Sequence, residues 1–547
     1  MTHPLTGWPL LAVLMGGVVA ALAALTLTIR GGVPQLARLR LAVLGLGTDE
    51  EAPGTQRAAV VTLAATTTVG GTAVVVSTAS AVAMGGTGVL FWFWSFAFLA
   101  AALRHAEAWL ARTDAPGARL GASGSLAERL RREQGLLRGM GFVLGLLVPV
   151  TATLWCAGVL GAGARGVLSA ASPDVERTAS IAASLLAPLL AGLLAWRMRS
   201  PWMVVVAGVG GGCLLVAFVT MGLVVVVESG RALGTLARAA SEALGGAPQA
   251  GAFSGAIPAE VLAAAAGSAV PVLLGPAGSD GALVALARAT STRAAAAASM
   301  LPVLGFAAIA TLTAMALVGS GVYFERVPTS RPLDALVVHR APFDSASQRR
   351  ERERLYEGYL RVQEGELRDV TVALATERAT IEAPRFFRNG VAADVALHVR
   401  EGRVFRILAP DRHGVLQELD RREIASVTVS GRMLANGPEQ LVRAAGRGAL
   451  GPTGVRLLVV VLVLGATAAC AILAFSAALG ARPQAPAAAR VALAVLVASG
   501  LGAGLWLPSQ WTAAAVGVAA GLLGMSWGIA LLARASDVVR LARSSGR

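Results

Sequence analysis

Two apolar stretches carry backbone-loosening residues at the depth where a membrane helix would be half-way across. Leu63 to Gly86 reads LAATTTVGGTAVVVSTASAVAMGG, and Ser268 to Ser291 reads SAVPVLLGPAGSDGALVALARATS. Gly70-Gly71 interrupts the first; Pro271, Gly275-Pro276 and Gly278 interrupt the second, and Asp280 follows. Glycine lacks the Cβ that favours helix, and proline removes a donor and clashes with the preceding turn. In hydrocarbon an unpaired backbone group is costly, so a break persists only where it lines a cavity or packs against protein. Broken helices offer what a small zwitterion needs: half-helix N-termini attract a carboxylate, and freed carbonyls coordinate a cation. The bland alternative is that these glycines only let helices pack closely. Asp280, an ionisable group in an apolar run, is a candidate to bind a cation, take up a proton or receive an amine; its other role is an ion pair with Arg288.

The elements that must position these residues follow from composition. Apolar types make up 55% of the 547 residues and charged types 14%. A soluble domain carries about 25% charged residues. Long stretches have no charge, while 324–450 is heavily charged, so a membrane part and a water-exposed part are expected. Spans are expected at 8–29, 57–84, 88–110, 139–162, 178–197, 201–227, 261–287, 297–323, 455–479, 488–507 and 512–534, about eleven in all. The first lacks a positive leader region and is long enough to span, so it reads as a retained helix. The net charge of +15 comes from arginine alone, at the ends of apolar runs. Topology explains that better than nucleic-acid binding. If every span crosses, the loops bearing Arg30–Arg57, Arg104–Arg138, Arg197–Arg199, Arg288–Arg293, Arg482–Arg490 and Arg534–Arg543 share one side, the cytoplasm. The N-terminus is then outside, the C-terminus inside, and the localisation a bacterial plasma (inner) membrane.

The segments read as follows: 1–56, an accessory first helix and cytoplasmic loop; 57–227, a first set of five helices; 228–260, an extracytoplasmic loop; 261–323, the start of a second set; 324–450, an inserted extracytoplasmic α+β domain; and 451–547, the last three helices. The two broken spans are then the first member of each set, the pattern of an inverted-repeat transporter site. Within the insert, Ser345 to Val362 reads as a charged helix, and 370–376, 394–399, 403–408 and 424–430 read as strands. Arg385-Phe386-Phe387-Arg388 reads as a strand end, or as a docking point for lipid or a partner. His398 and His413 are isolated. Cys156, Cys213 and Cys470 are too scattered for a metal site and too deep for a disulfide framework. No nucleophile–base pair or metal cluster stands out, so an enzyme is not expected.

Along most of its length the chain resembles the alanine or glycine:cation symporter (sodium:alanine symporter) family, as a divergent member. Thr28-Ile29-Arg30 followed by Gln35 is similar to that family's first-helix exit, and Leu63-Ala64-Ala65-Thr66 to the entry of its first broken helix. Gly85-Gly86-Thr87-Gly88 with Val89–Trp94 resembles its GGPGAVFWMW run. Arg104-His105-Ala106-Glu107-Ala108 resembles its K-aromatic-AEA segment, Thr311–Ala314 its CTxTAL stretch, and Ala474-Phe475-Ser476 its AFST. Ala277-Gly278 sits where its SNEAGLGSAP motif would fall. The family Asn of GTGN and its Ser-Asn-Glu are replaced here, the latter by Leu274-Gly275-Pro276, and the 324–450 domain is an addition.

The resemblance implies a leucine-transporter-type, all-α polytopic membrane protein of two five-helix inverted repeats. It implies alternating-access symport of a small amino acid, such as alanine or glycine, with sodium as coupling ion. On this footing the substrate group is Thr68, Gly70, Gly71, Thr72, Gly275, Ala277, Gly278 and Asp280. Thr66, Thr67, Thr311 and Thr313 are candidate sodium ligands, since hard cations prefer several oxygens. Threonines in membrane helices also bond their own backbone. Arg104 and Glu107 read as an inner-surface pair. The thinned ligands and added domain motivate an alternative, a non-transporting receptor or scaffold acting through an unidentified extracytoplasmic partner.

Overall fold

The computed structural model describes residues 8–31, 34–44, 56–113, 126–197, 202–227, 232–245, 258–279, 283, 287–288, 292–333, 336–340, 355–367, 370–374, 380–410, 415–420, 423–424, 426–447, 450–481 and 485–536. The chain opens with α1 (Trp8–Gly31) and the short α2 (Pro34–Ala37) and α3 (Leu39–Leu44). A two-residue strand β1 (Gln56–Arg57) leads into α4 (Ala58–Gly70), α5 (Thr72–Gly85) and α6 (Val89–Thr113). Next come α7 (Leu126–Arg131), α8 (Leu136–Trp155), a π-helical segment (Cys156–Gly161) and α9 (Ala162–Ala171). Then follow α10 (Pro173–Trp196), α11 (Trp202–Val227), α12 (Ala232–Gly245), α13 (Pro258–Leu274), β2 (Ala287–Arg288), α14 (Thr292–Ala298) and α15 (Leu301–Gly319). After the inserted domain come α16 (Gly437–Arg447), α17 (Gly451–Ala481), α18 (Ala487–Trp506) and α19 (Ser509–Ala533).

Ten helical stretches among the described residues are long and apolar enough to cross a membrane, and Val261–Leu274 forms a shorter apolar helix. The expected span at 261–287 is therefore the one that departs: its helix stops at Leu274. It still crosses. Gly85, at the end of α5, lies against Val261 and Ala264, while β2 pairs with β1 at the start of α4. The two interrupted elements thus run side by side in opposite directions. Local chemistry sets other boundaries. α10 opens on Pro173 with Asp174 and Glu176 in its first turn, the proline and acids that suit a helix N-terminus.

The arginine-rich segments meet at one end of the bundle. Arg131 donates to the carbonyl of Ala481 at 3.1 Å, Arg534 pairs with Glu133, and β1 and β2 join the starts of two chain segments there. Gln35 donates to Thr28 Oγ1 at 2.9 Å and to the carbonyl of Phe98 at 3.2 Å, which ties the exit of α1 to α6. Arg38 contacts His105 and lies over the ring of Trp109.

The inserted domain leaves from the opposite end; its described residues are β-rich, with one helix, Gly437–Arg447, at the return. One sheet has the order β11-β10-β9-β5 and the other β3-β12-β7-β6-β4, with β8 beside β7. Their strands are β3 (Arg326–Pro332), β4 (Leu336–Arg340), β5 (Gly358–Val362), β6 (Val370–Leu374), β7 (Thr380–Arg388), β8 (Val391–Ala392), β9 (Val395–Arg400), β10 (Arg403–Pro410), β11 (Leu416–Glu418) and β12 (Val427–Leu434). The four strands expected from sequence correspond to β6, β9, β10 and β12. The expected helix over 345–362 is overturned at its described end. There Leu360 and Val362 are buried while Tyr359 and Arg361 face out, the alternation of a strand. Arg385–Arg388 lies at the end of β7, with Phe386 buried and Arg388 2.8 Å from Glu423. His413 lies outside the described residues. The domain returns through α16, whose Gly437 rests against the backbone of Ala79 and Ser80 on α5. Glu325 pairs with Arg443 at 3.4 Å and Arg447 at 3.0 Å, which closes the entrance to the exit.

Two distant cysteines prove to be neighbours: Cys156, at the start of the π-helical segment, lies near Cys470 on α17. Among the described residues no three of His, Cys, Asp and Glu gather as a metal site would need.

Candidate functional site: two helix breaks

At the first break α4 ends at Gly70 and α5 starts at Thr72, with Gly71 between them at φ −86° and ψ −135°. The Gly71 carbonyl becomes the first acceptor of α5, from the N–H of Val74 at 3.2 Å and Val75 at 3.4 Å. Such ends release carbonyls of the last turn and N–H groups of the next first turn from helical pairing. Three helices enclose this break. α15 brings Phe306 and Ile309 against Gly70, and α11 lays Gly210 against Thr67. α17 offers the Leu462 carbonyl to the Thr72 hydroxyl at 2.7 Å. Phe306 stacks on Phe93 of α6 with ring centres 5.5 Å apart, so the site's near wall is apolar.

At the second break α13 runs on through Pro271 and ends at Leu274, followed by a turn over 275–279. Pro276 has no N–H, so the carbonyl of Val272 loses its helical donor. The Ala277 N–H goes to the Leu274 carbonyl at 2.8 Å and the Ser279 N–H to the Pro276 carbonyl at 3.0 Å. The Leu273 carbonyl is thereby left for a side chain. Arg104 of α6 takes it: Nη2 donates to Leu273 O at 2.7 Å and Nη1 to Pro276 O at 3.1 Å. The turn needs its glycines. A Cβ at Gly275 would lie 2.0 Å from Cδ1 of Trp155 on α8, and Gly278 has φ +79° with Val148 beside it. Leu274 rests against Gly524 of α19.

Arg104 and Glu107 are paired at 3.7 Å with side chains 2% and 1% exposed. They do not form the inner-surface pair expected from sequence. Both are buried because the α6 face that carries them packs onto α13 and α14. The Arg104 guanidinium also lies over the Trp527 ring at 5.4 Å, and its backbone carbonyl accepts from Ser299 Oγ at 3.1 Å. The sequence signal was an i,i+3 pair of opposite charges closing an otherwise uncharged apolar run. What it bound was not readable from one helix.

The expected substrate residues fall into two groups. Thr68, Gly70, Gly71 and Thr72 sit with α11, α15 and α17; Gly275, Ala277 and Gly278 sit with α6, α8 and α19. The packing of α5 against α13 joins the two. Asp280 lies outside the described residues. The candidate sodium ligands spend their hydroxyl protons on their own helices. Thr66 donates to Thr62 O (2.8 Å), Thr67 to Leu63 O (2.8 Å), Thr311 to Ala307 O (2.7 Å) and Thr313 to Ile309 O (2.8 Å). Thr68 does the same with Ala65 O at 2.7 Å, and Thr311 accepts from Trp94 Nε1 at 2.8 Å. This self-bonding leaves oxygen lone pairs but orients each hydroxyl along its helix. At the far end of α5 the buried Glu242 of α12 accepts from Thr87 Oγ1 at 2.7 Å and Gly88 N at 3.1 Å. A carboxylate there satisfies and complements the N-terminus of α6.

No family model matches this chain, and no curated protein matches it in sequence.

Proposed function

We propose that this chain is a secondary active transporter, a sodium-coupled symporter of small neutral amino acids such as alanine or glycine, working by alternating access. In this reading α1 is an accessory helix and the remaining ten crossings form two inverted repeats of five, each opening on a broken helix. The observation that carries it is the equivalence of the two breaks. The first is enclosed by the fifth, seventh and eighth of those crossings (α11, α15, α17). The second is enclosed by the tenth, second and third (α19, α6, α8). Moving the count by five turns one set into the other.

Several other packed pairs follow the same exchange. α4 packs on α15 as α13 packs on α6, and α11 on α17 as α19 on α8. α10 packs on α17 as α18 on the π-helical segment, and α11 on α4 as α19 on α13. The pairs α5–α13, α6–α15, α8–α17 and α10–α18 are their own counterparts. With an odd number of crossings per repeat the halves are inverted, and two antiparallel broken helices at their junction suit an ion and a zwitterion.

In proteoliposomes an inward sodium gradient is expected to drive accumulation of labelled alanine or glycine. Uptake equal to that of protein-free vesicles, under sodium and proton gradients and with several small amino acids, would leave the second reading, a receptor or scaffold. The self-bonded threonines favour that reading.

The arginine-rich end is assigned to the cytoplasm by the positive-inside rule, which puts the β-rich domain outside a plasma membrane. Tyr359 on β5 is 64% exposed. The Tyr359→Cys variant, made together with Cys213→Ala to remove the one partly exposed native cysteine, should react with an impermeant maleimide in intact spheroplasts, because Cys156 and Cys470 are both 0% exposed. Reaction only after lysis would reverse the orientation.

A further inference from the structure

We propose that Arg104 is a tethered cation: it occupies, at the second break, the place that a dissolved ion would take at an unwound helix, and so confines the mobile coupling ion to the first break. The proposal rests on the transport reading for its consequence, but its geometry stands without it. The C-terminal end of a half-helix carries partial negative charge and carbonyls with no helical donor. In hydrocarbon these must be met by a cation, by donors, or by both. Here one planar group does both. Its two Nη atoms reach the carbonyls of Leu273 and Pro276 at 2.7 and 3.1 Å.

A guanidinium suits this role better than an ammonium. Its donors are held in a fixed fork, its charge is permanent, and its face stacks on an aromatic ring. All three properties are used: the fork spans two carbonyls three residues apart, Glu107 lies 3.7 Å away as counter-charge, and Trp527 covers the guanidinium at 5.4 Å. The first break differs. α11, α15 and α17 set Gly210, Phe306, Ile309 and Gly465 against it, none of them charged. The two breaks have equivalent helical surroundings but opposite solutions for their freed carbonyls: a charged side chain meets those of the second, and the contacts described at the first are uncharged.

Two measurements test this. In the first, the purified Arg104→Gly variant is melted in detergent with millimolar guanidinium or with tetramethylammonium at the same ionic strength. Guanidinium should restore much of the lost thermal stability and tetramethylammonium should not, while the wild-type protein responds to neither. Equal responses to the two cations would overturn the proposal, whatever the protein transports. In the second, uptake by the wild type should depend on sodium hyperbolically, as for one ion. Arg104→Gly should lose uptake about tenfold or more, the scale of one charged hydrogen bond, and regain it with guanidinium. A sigmoidal wild-type dependence overturns the tethered cation while keeping transport; wild-type uptake equal to empty vesicles removes the transport reading and leaves the melting test to decide. Should Arg104→Gly fail to fold, Arg104→Lys takes its place. It keeps the charge and loses the fork, so it should melt below wild type with the sodium dependence still hyperbolic. Melting identical to wild type, or a steeper sodium dependence, would sink the idea.

Discussion

Replacing Glu107 with leucine is expected to destabilise the protein by about 3–5 kcal/mol, the range for removing one partner of a buried ion pair. The size follows from where the pair lies. The side chains of Arg104 and Glu107 are 2% and 1% exposed, so solvent cannot screen the charge that remains. The Arg104 fork is held by two carbonyls of the broken segment. The variant would therefore keep the guanidinium beside an unwound segment without its Glu107 counter-charge. Replacing both residues with leucine should not restore wild-type stability, although paired apolar substitution of a buried ion pair often does. Here the Leu273 carbonyl would lose the Arg104 donor, and the Pro276 carbonyl would keep only the Ser279 N–H. The deficit left in the double variant, set against the two single variants, separates the ion pair from the carbonyl contacts. Melting curves followed by tryptophan fluorescence give all three values. A Glu107→Leu curve that overlays wild type would mean that the pair is not buried in the folded protein.

The membrane part was largely legible because its signal is long. An apolar run of about 20 residues is hard to mistake, and α1, α4–α6, α8–α11, α15 and α17–α19 lie where such runs do. The break at Gly71 was less plainly written: Gly16-Gly17 and Gly210–Gly212 are also adjacent glycines, and they lie inside the unbroken α1 and α11. Pro271 was misleading. It lies inside α13, because a membrane helix can re-satisfy the one carbonyl a proline frees. The helix ends three residues later, where Gly275 and Pro276 act together.

The β-rich domain was harder, and two proline-containing strands show why. β3 contains Pro328 and Pro332 but lies at the edge of its sheet, where a missing N–H is tolerated. β7 contains Pro384 in the middle of its sheet. It survives there because the register against β12 shifts between Ser430 and Arg432, and Ala383 takes φ +48°; Pro384 is accommodated at a bulge. Neither edge position nor bulge can be read from one strand's residues. In β5 the alternation of Tyr359, Leu360, Arg361 and Val362 was present, but the arginines and glutamates before it gave the stretch the look of a charged helix. The pairing of Arg104 with the second break lies at the limit of this kind of reading. Its two partners are backbone atoms about 170 residues away, and a carbonyl has no signature in a sequence.

Replacing Gly275 with leucine is expected to be the most damaging single change at the second break outside the ion pair. A Cβ alone would stand 2.0 Å from Trp155 Cδ1 and 2.5 Å from its Nε1, far inside van der Waals contact. Trp155 is fully buried and leads directly into the π-helical segment, so the ring cannot swing into solvent to make room. Overpacking of this kind costs about 1–3 kcal/mol and at times more, and here the turn that presents Leu273 and Pro276 to Arg104 would have to move as well. Gly267, eight residues earlier and inside α13, supplies the control. Nothing lies within 4 Å of a Cβ built there, so Gly267→Ala should be neutral or stabilising by up to about 1 kcal/mol through helix propensity. Melting the two variants beside the wild type therefore asks whether the glycines of α13 share one role or two. If Gly275→Leu melts no lower than Gly267→Ala, the close approach of the unwound segment to Trp155 is wrong. If it melts well below, close packing at Gly275 is what allows the helix to end in mid-membrane, with its carbonyls turned toward a fixed charge instead of toward lipid.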